Sequence, residues 1–341
     1  MDVGLHGKRL EKLWRRGCEF LGCRYSIMCG AMSWLSERHL VSAISNAGGF
    51  GVIACGSMTP DILSEEIAAT FKHTSNPFGV NLITMHPDLD ALIGVCMDHK
   101  VGHVVLAGGV PGAASIKRIK DCGAKVICFA PALALAKRLI RNGADGLVIE
   151  GSEAGGHIGP VSTGVLAQEI LPQILDVPVF VAGGIGRGEA IVSYLEMGAS
   201  GCQLGTRFVC ATECIAHPAF KQAFIRAPAR DAVSTVQLDP EFPVIPVRAL
   251  TNNGTAEFMD AQRRVIERFR NGELNQKEAQ LEIELFWVGA LKRAAIDGDV
   301  ENGSLMAGQS VGMVKCEQPA AEIIGELVDQ ALSSIAARET L

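Results

Sequence analysis

The sequence contains no run of about eighteen apolar residues, so no membrane-spanning segment is expected. Its 11 cysteines never form a C-x-x-C pair, which argues against zinc and iron–sulfur sites, and no metal centre is expected. They are odd in number, scattered, and mostly flanked by apolar residues. They read as reduced core thiols of a cytoplasmic protein rather than as a disulfide framework. Positive charge is not in excess: the formal net charge is -6, which removes the overall electrostatic case for nucleic acid. The basic N-terminal stretch (Lys8, Arg9, Lys12, Arg15, Arg16) also carries Asp2, Glu11 and Glu19 and lacks an apolar h-region, so no signal peptide is expected. No internal repeat and no linker that would free a second domain stand out.

What the chain does have is glycine and short apolar runs. Apolar residues make up 48% of its 341 positions, enough for a large core, and its 38 glycines suit a fold with many tight turns. Candidate strands fall at 26–32, 51–55, 78–83, 103–107, 125–129, 146–150, 177–182 and 201–208. They are rich in Val and Ile with little alternation, as strands buried on both faces should be. Amphipathic stretches lie between them, among them 37–46, 62–72, 113–121, 133–142, 165–175 and 188–197, and several close on a glycine: Gly48, Gly123, Gly143, Gly198. Eight βα units in series imply an α/β fold of the (β/α)8 TIM-barrel type.

The expected organisation is a helix over 1–24 closing one end of the barrel, the barrel over 25–230, and an appended helical segment over 231–341 covering the mouth of the same domain. In that last part Asp239-Pro240, Pro243 and Pro246 suggest an extended connection. Charge-rich helical sequence follows from about 255 to 295, then a small-residue run from Gly303 to Gln309 and a final helix over 320–337.

Two glycine turns carry the chemistry. Ala182-Gly183-Gly184-Ile185-Gly186 follows the seventh strand, and Gln203-Leu204-Gly205-Thr206 ends the eighth. Those loops are the usual phosphate site of a barrel, where a Cβ would keep the backbone from the anion. The plainer alternative is a pair of tight βα turns. A dinucleotide fold fits less well. The run from Gly184 fails G-x-G-x-x-G at Glu189, and the looser match Gly49–Ala54 follows a helix and opens a strand, the reverse of the required order. The loop Glu150–Gly159 holds four glycines and His157, which there could exchange a proton with a substrate lying on a flavin; the alternative is a histidine that only hydrogen-bonds the loop. Asn81 ends the third strand, where its amide matches the edge of a flavin pyrimidine, or merely closes a turn.

Several segments resemble the nitronate monooxygenase family, which also contains FMN-dependent enoyl-acyl-carrier-protein reductases. They are Gly30-Ala31-Met32-Ser33-Trp34, Ser45–Gly51, Phe78-Gly79-Val80-Asn81, Glu150–Gly159, Ala182–Gly186 and Gln203–Phe208, with Ala216-His217-Pro218, Gly298-Asp299-Val300 and Met306-Ala307-Gly308-Gln309 beyond the barrel. The resemblance implies FMN held around Gly30 and Met32, by Asn81, near Glu150, and by Gly183, Gly184, Gln203, Leu204, Gly205 and Thr206, with His157 catalytic. It implies one of two reactions: NADH- or NADPH-dependent reduction of an enoyl thioester in fatty acid synthesis, or oxidation of an alkyl nitronate by oxygen. The 153–159 and 298–309 segments and the Ala216-His217-Pro218 turn sit closer to the reductase branch; the stretch Asp239-Pro240-Glu241-Phe242-Pro243 departs from it. A flavin- or phosphate-binding barrel without turnover is the reading from another class. The expected partner is an acyl carrier protein or a small thioester, with a homodimer left open. An acidic carrier would need a basic patch, for which Arg207, Lys221, Arg226, Arg230 and Arg248 are the candidates near the mouth.

Overall fold

A computed structural model describes residues 4–239 and 245–339. Pro240, Glu241, Phe242 and Pro243, which the sequence sets apart, lie outside the described residues. The barrel strands are β1 (Ile27–Cys29), β2 (Val52–Ala54), β3 (Gly79–Ile83), β4 (His103–Ala107), β5 (Lys125–Phe129), β6 (Gly146–Glu150), β8 (Val179–Ala182) and β9 (Gly201–Leu204); β7 (Gly156–His157), β10 (Ala232–Ser234) and β11 (Val247–Leu250) lie outside it. The eight pair in parallel in the order β1-β9-β8-β6-β5-β4-β3-β2. A parallel bridge between Met28 and Phe50 joins the ends of that order, with Cys29 N–H donating to Phe50 O at 2.9 Å and Phe50 N–H to Ile27 O at 2.9 Å. The sheet is thus a (β/α)8 barrel.

Both faces of these strands are buried, which explains their unbroken apolar runs. Alternate residues separate into two layers. Met28, Val52, Val105, Ile127, Val148, Phe180 and Ala182 fill the interior, and their neighbours Ile27, Cys29, Ile53, Val104, Val126, Leu147 and Val181 pack against the helices. The ring helices are α2 (Arg38–Asn46), α3 (Pro60–His73), α4 (Leu89–Asp98), α5 (Ala113–Lys120), α6 (Leu133–Arg141), α7 (Thr163–Ile170) and α8 (Gly188–Glu196). The first helix, α1 (Leu5–Leu21), brings Phe20 and Leu21 to the floor. Phe20 O accepts from His103 Nε2 at 2.9 Å and from Lys125 Nζ, at the starts of β4 and β5, and Leu21 joins the inner layer.

Past β9 the structure departs from three expectations. The eighth strand, expected over 201–208, stops at Leu204, and the short helix α9 (Thr206–Val209) takes over, followed by α10 (Pro218–Arg226). Strands β10 and β11, on either side of the expected extended connection, form a three-stranded antiparallel sheet with β7, which recruits two residues from the histidine loop, where no regular structure was expected. The helical stretch breaks at Asn271-Gly272 into α11 (Asn253–Arg270) and α12 (Gln276–Ala295), each opened by an asparagine capping box. These helices and β11 share a separate core around Val247, Phe258, Val265, Ile283 and Trp287. Trp34 Nε1 donates to Val288 O at 3.2 Å and so anchors α12 to the loop after β1. The last helix, α13 (Ala320–Glu339), does not lie over the mouth. It packs on α8, α1 and α2, in the gap where the helix following the eighth strand belongs.

Candidate active site

Strand parity aims three polar side chains inward at the C-terminal end of the barrel. Asn81, Glu150 and Gln203 share a face with the inner-layer residues Ala54, Val148 and Met28, as the registers Ala54↔Asn81, Glu150↔Ala182, Ala182↔Gln203 and Met28↔Gln203 require. Asn81 is buried and its Nδ2 donates to Val105 O at 3.1 Å, which leaves its Oδ1 to accept. Gln203 is buried against Gly30; a Cβ on Gly30 would stand 3.2 Å from Gln203 Nε2. Met32 closes over Gly205, its Sδ 3.6 Å from where a Cβ would be. The structure therefore brings Gly30, Met32, Gln203, Leu204 and Gly205 together.

Burial pushes the Glu150 carboxyl up to about 8. Its usual value in an unfolded chain is near 4.3. Between these values the folded state holds a proton that the unfolded chain releases, so this group weakens the fold as pH rises through that window. Glu150→Gln should accordingly raise the melting temperature of the flavin-free protein at pH 9 and leave it nearly unchanged at pH 4. Equal shifts at both would place the effect in packing rather than charge.

The two glycine turns lie at the ends of adjacent strands β8 and β9. The N–H groups of Gly183, Gly184, Gly205 and Thr206 have no hydrogen-bond partner among the described residues. Four backbone donors left open at two neighbouring turns suit a phosphate. Gly183 and Gly184 adopt φ of 100° and 70°, and Cβ atoms there would meet Thr163 Oγ1 at 2.8 Å and Glu153 Cβ at 3.0 Å. Glycine is thus required by both backbone and packing.

The residues behind this turn were not foreseen. Glu153 Oε2 accepts from Thr163 N–H at 2.8 Å and Thr163 Oγ1 at 2.9 Å, capping the start of α7. Glu153 O accepts from Gln309 N–H at 2.9 Å, and Gly308 N–H donates to Thr206 Oγ1 at 3.0 Å. The small-residue run after α12 therefore straps the histidine loop to the Gly205-Thr206 turn. Small residues are needed because a Cβ on Gly155 would lie 2.5 Å from Gly308 N. The sequence signals were the small-residue run Gly303–Gln309 and the resemblance carried by Glu150–Gly159 and Met306-Ala307-Gly308-Gln309, neither of which says that the two segments touch. His157 itself is exposed and pairs in register with Val247.

The candidate basic patch does not hold together. Arg207 and Lys221 are 3% and 4% exposed and are spent on Glu326 and Glu317, both at 2.7 Å. Arg248 lies opposite Gly156, half-buried, with Nε donating to Ser152 O at 2.8 Å and Nη1 to Ala232 O at 2.5 Å. Arg226 and Arg230 remain on the surface. Among the described residues no cluster of three or more His, Cys, Asp or Glu could hold a metal, and no helix is long and apolar enough to cross a membrane. Nor are all thiols in the core: Cys18 and Cys23 are half-buried, and Cys122 and Cys316 are exposed.

The family model described as nitronate monooxygenase matches residues 16–92 and 89–330. FabK from Thermotoga maritima superimposes with a TM-score of 0.85 at 34% identity, over 95% of this chain and 98% of that one. A (3aS,4S,5R,7aS)-5-hydroxy-7a-methyl-1-oxo-octahydro-1H-indene-4-carboxyl-CoA dehydrogenase of Mycobacterium tuberculosis is 30% identical over 93% of this chain and 96% of its own length. A probable nitronate monooxygenase of Staphylococcus aureus is 26% identical over 93% and 98%.

Proposed function

We propose, from the premise that this chain belongs to the nitronate monooxygenase family, that it is an FMN-dependent oxidoreductase reducing an enoyl thioester at the expense of NADH or NADPH. The family and its neighbours are oxidoreductases, and FMN is their general cofactor. The observation that carries FMN to this chain is the set of open N–H groups at Gly183, Gly184, Gly205 and Thr206 beside the inward trio Asn81, Glu150 and Gln203. The turns would take the phosphate. Asn81 Oδ1, the Gln203 amide and a protonated Glu150 would meet the polar edge of the ring system, with the backbone at Gly30 and Met32 beside it. Bound there, FMN supplies hydride transfer to the β-carbon. His157, at the rim, would hold the proton that the α-carbon takes up.

The thioester reading is supported by the likeness to FabK, an enoyl-acyl-carrier-protein reductase, and by the carboxyl-CoA dehydrogenase named above. The family description and the Staphylococcus relative favour a second reading, oxidation of an alkyl nitronate by oxygen. Crotonyl-CoA with NADH or NADPH should give butyryl-CoA, one equivalent of reductant consumed per thioester. Oxygen uptake with an alkyl nitronate and no reduction of the thioester would select the second reading.

An acidic carrier protein is the proposed partner, met at the surface arginines. Arg226→Glu with Arg230→Glu should raise KM for a carrier-linked enoyl substrate while leaving KM for the coenzyme A thioester nearly unchanged. The contrast should shrink with salt, because exposed charges are screened over about 8 Å at physiological ionic strength. Equal effects on both substrates would assign these arginines to the fold or the pocket.

A further inference from the structure

We infer that Cys18 and Cys23 form a redox-active dithiol at the foot of the barrel, closing to a disulfide with a peroxide or a low-molecular-weight disulfide as oxidant. Cys18 stands in the last turn of α1, which Gly22 ends at φ 73°. The N–H groups of Gly22 and Cys23 both donate to Cys18 O, at 2.8 and 3.2 Å. This closing turn folds the second residue past the helix back over the residue three positions before its cap, a contact usually made by two apolar side chains. Here cysteines occupy both positions, and the bond from Cys23 N–H to Cys18 O holds the two residues side by side. Their sulfurs face successive carbonyls, Cys18 Sγ 3.4 Å from Arg24 O and Cys23 Sγ 3.1 Å from Tyr25 O. A disulfide joins Cα atoms about 4.4–6.8 Å apart, and the 3.2 Å backbone bond from Cys23 N–H to Cys18 O keeps the two residues adjacent across the turn.

The pair differs from the other cysteines. Cys29, Cys55, Cys96, Cys128, Cys202, Cys210 and Cys214 are buried beyond the reach of a reagent, and Cys122 and Cys316 are exposed on separate surfaces. Cys18 and Cys23 are half-buried, open enough to react and close enough to resolve. The neighbouring Cys23 side chain holds the Cys18 thiol below its ordinary value, which makes Cys18 the attacking sulfur. Its thiolate takes one oxygen from the peroxide, giving a sulfenic acid and water. Cys23 then displaces the hydroxyl, giving the disulfide and a second water, two electrons having left the pair.

The segment between the two cysteines is the floor plug. It contains Phe20, whose carbonyl holds His103 and Lys125, and Leu21 of the inner layer. A disulfide across it restricts the unfolded chain and staples the plug. Treatment of the intact protein with hydrogen peroxide or oxidised glutathione should yield a peptide joining Cys18 to Cys23, two hydrogens lighter and refractory to alkylation. The melting temperature should rise by roughly 2–5 °C and return on reduction. Cys23→Ser should abolish both effects. Cys122 and Cys316 report in the same digest that oxidant reached the protein. The inference fails if they are modified while Cys18 and Cys23 stay alkylatable, or if Cys18 accumulates as a glutathione adduct that Cys23 does not resolve.

Discussion

Gly184→Asp is expected to purify without flavin, whereas the wild-type protein is expected to purify yellow with FMN. Gly184 sits at φ 70°, its missing Cβ pointing to within 3.0 Å of Glu153 Cβ, and its N–H is one of the four open donors. A carboxylate there strains the turn, crowds Glu153 and faces the phosphate with like charge. Like charges brought together cost several kcal/mol, so affinity should fall on the order of 10³-fold. Fluorescence titration of the flavin-free proteins with FMN measures this directly. Gly184→Ala separates strain from repulsion, since it adds the Cβ alone. FAD in the wild-type extract, or a wild-type protein that no flavin reconstitutes, would contradict the assignment.

His157→Ala should keep FMN and lower kcat by roughly 10²–10⁴-fold, the usual contribution of a positioned proton donor or acceptor. The backbone pairing of His157 with Val247, and the bond from Ile158 N–H to Pro246 O at 2.9 Å, do not involve the imidazole, so the loop should hold its course. A loss confined to KM would point to substrate binding. An unchanged rate at saturating substrate would leave His157 as a residue that only hydrogen-bonds its loop.

The barrel was legible because its signal is local. Strands buried on both faces are unbroken runs of Val, Ile and Leu, and β4, β5 and β6 begin and end where those runs do. The turn at Gly183-Gly184 was legible for a like reason: positive φ and close packing leave glycine as the residue that fits. What could not be read depends on partners distant in sequence. β7 is two residues long, too short for any period, and exists because β11 lies beside it. Arg207 and Lys221 look like charges available at the mouth, and only Glu326 and Glu317, about a hundred positions on, turn them inward. The last helix reads as one more element of the cap, yet its place is set by the gap between α8 and α2 that a long insertion leaves open. Glu153 has the composition of a loop acid, and its role appears once Thr163 and Gln309 are seen to converge on it.

The measurement that tests the account most directly is anaerobic mixing of the FMN-loaded protein with NADH or NADPH, followed by an enoyl thioester, while the flavin spectrum is recorded. The account predicts rapid bleaching by the nicotinamide and stoichiometric return of the oxidised spectrum on addition of crotonyl-CoA. A flavin that neither nicotinamide bleaches, or a bleached flavin that the thioester leaves reduced and oxygen alone restores, would contradict it.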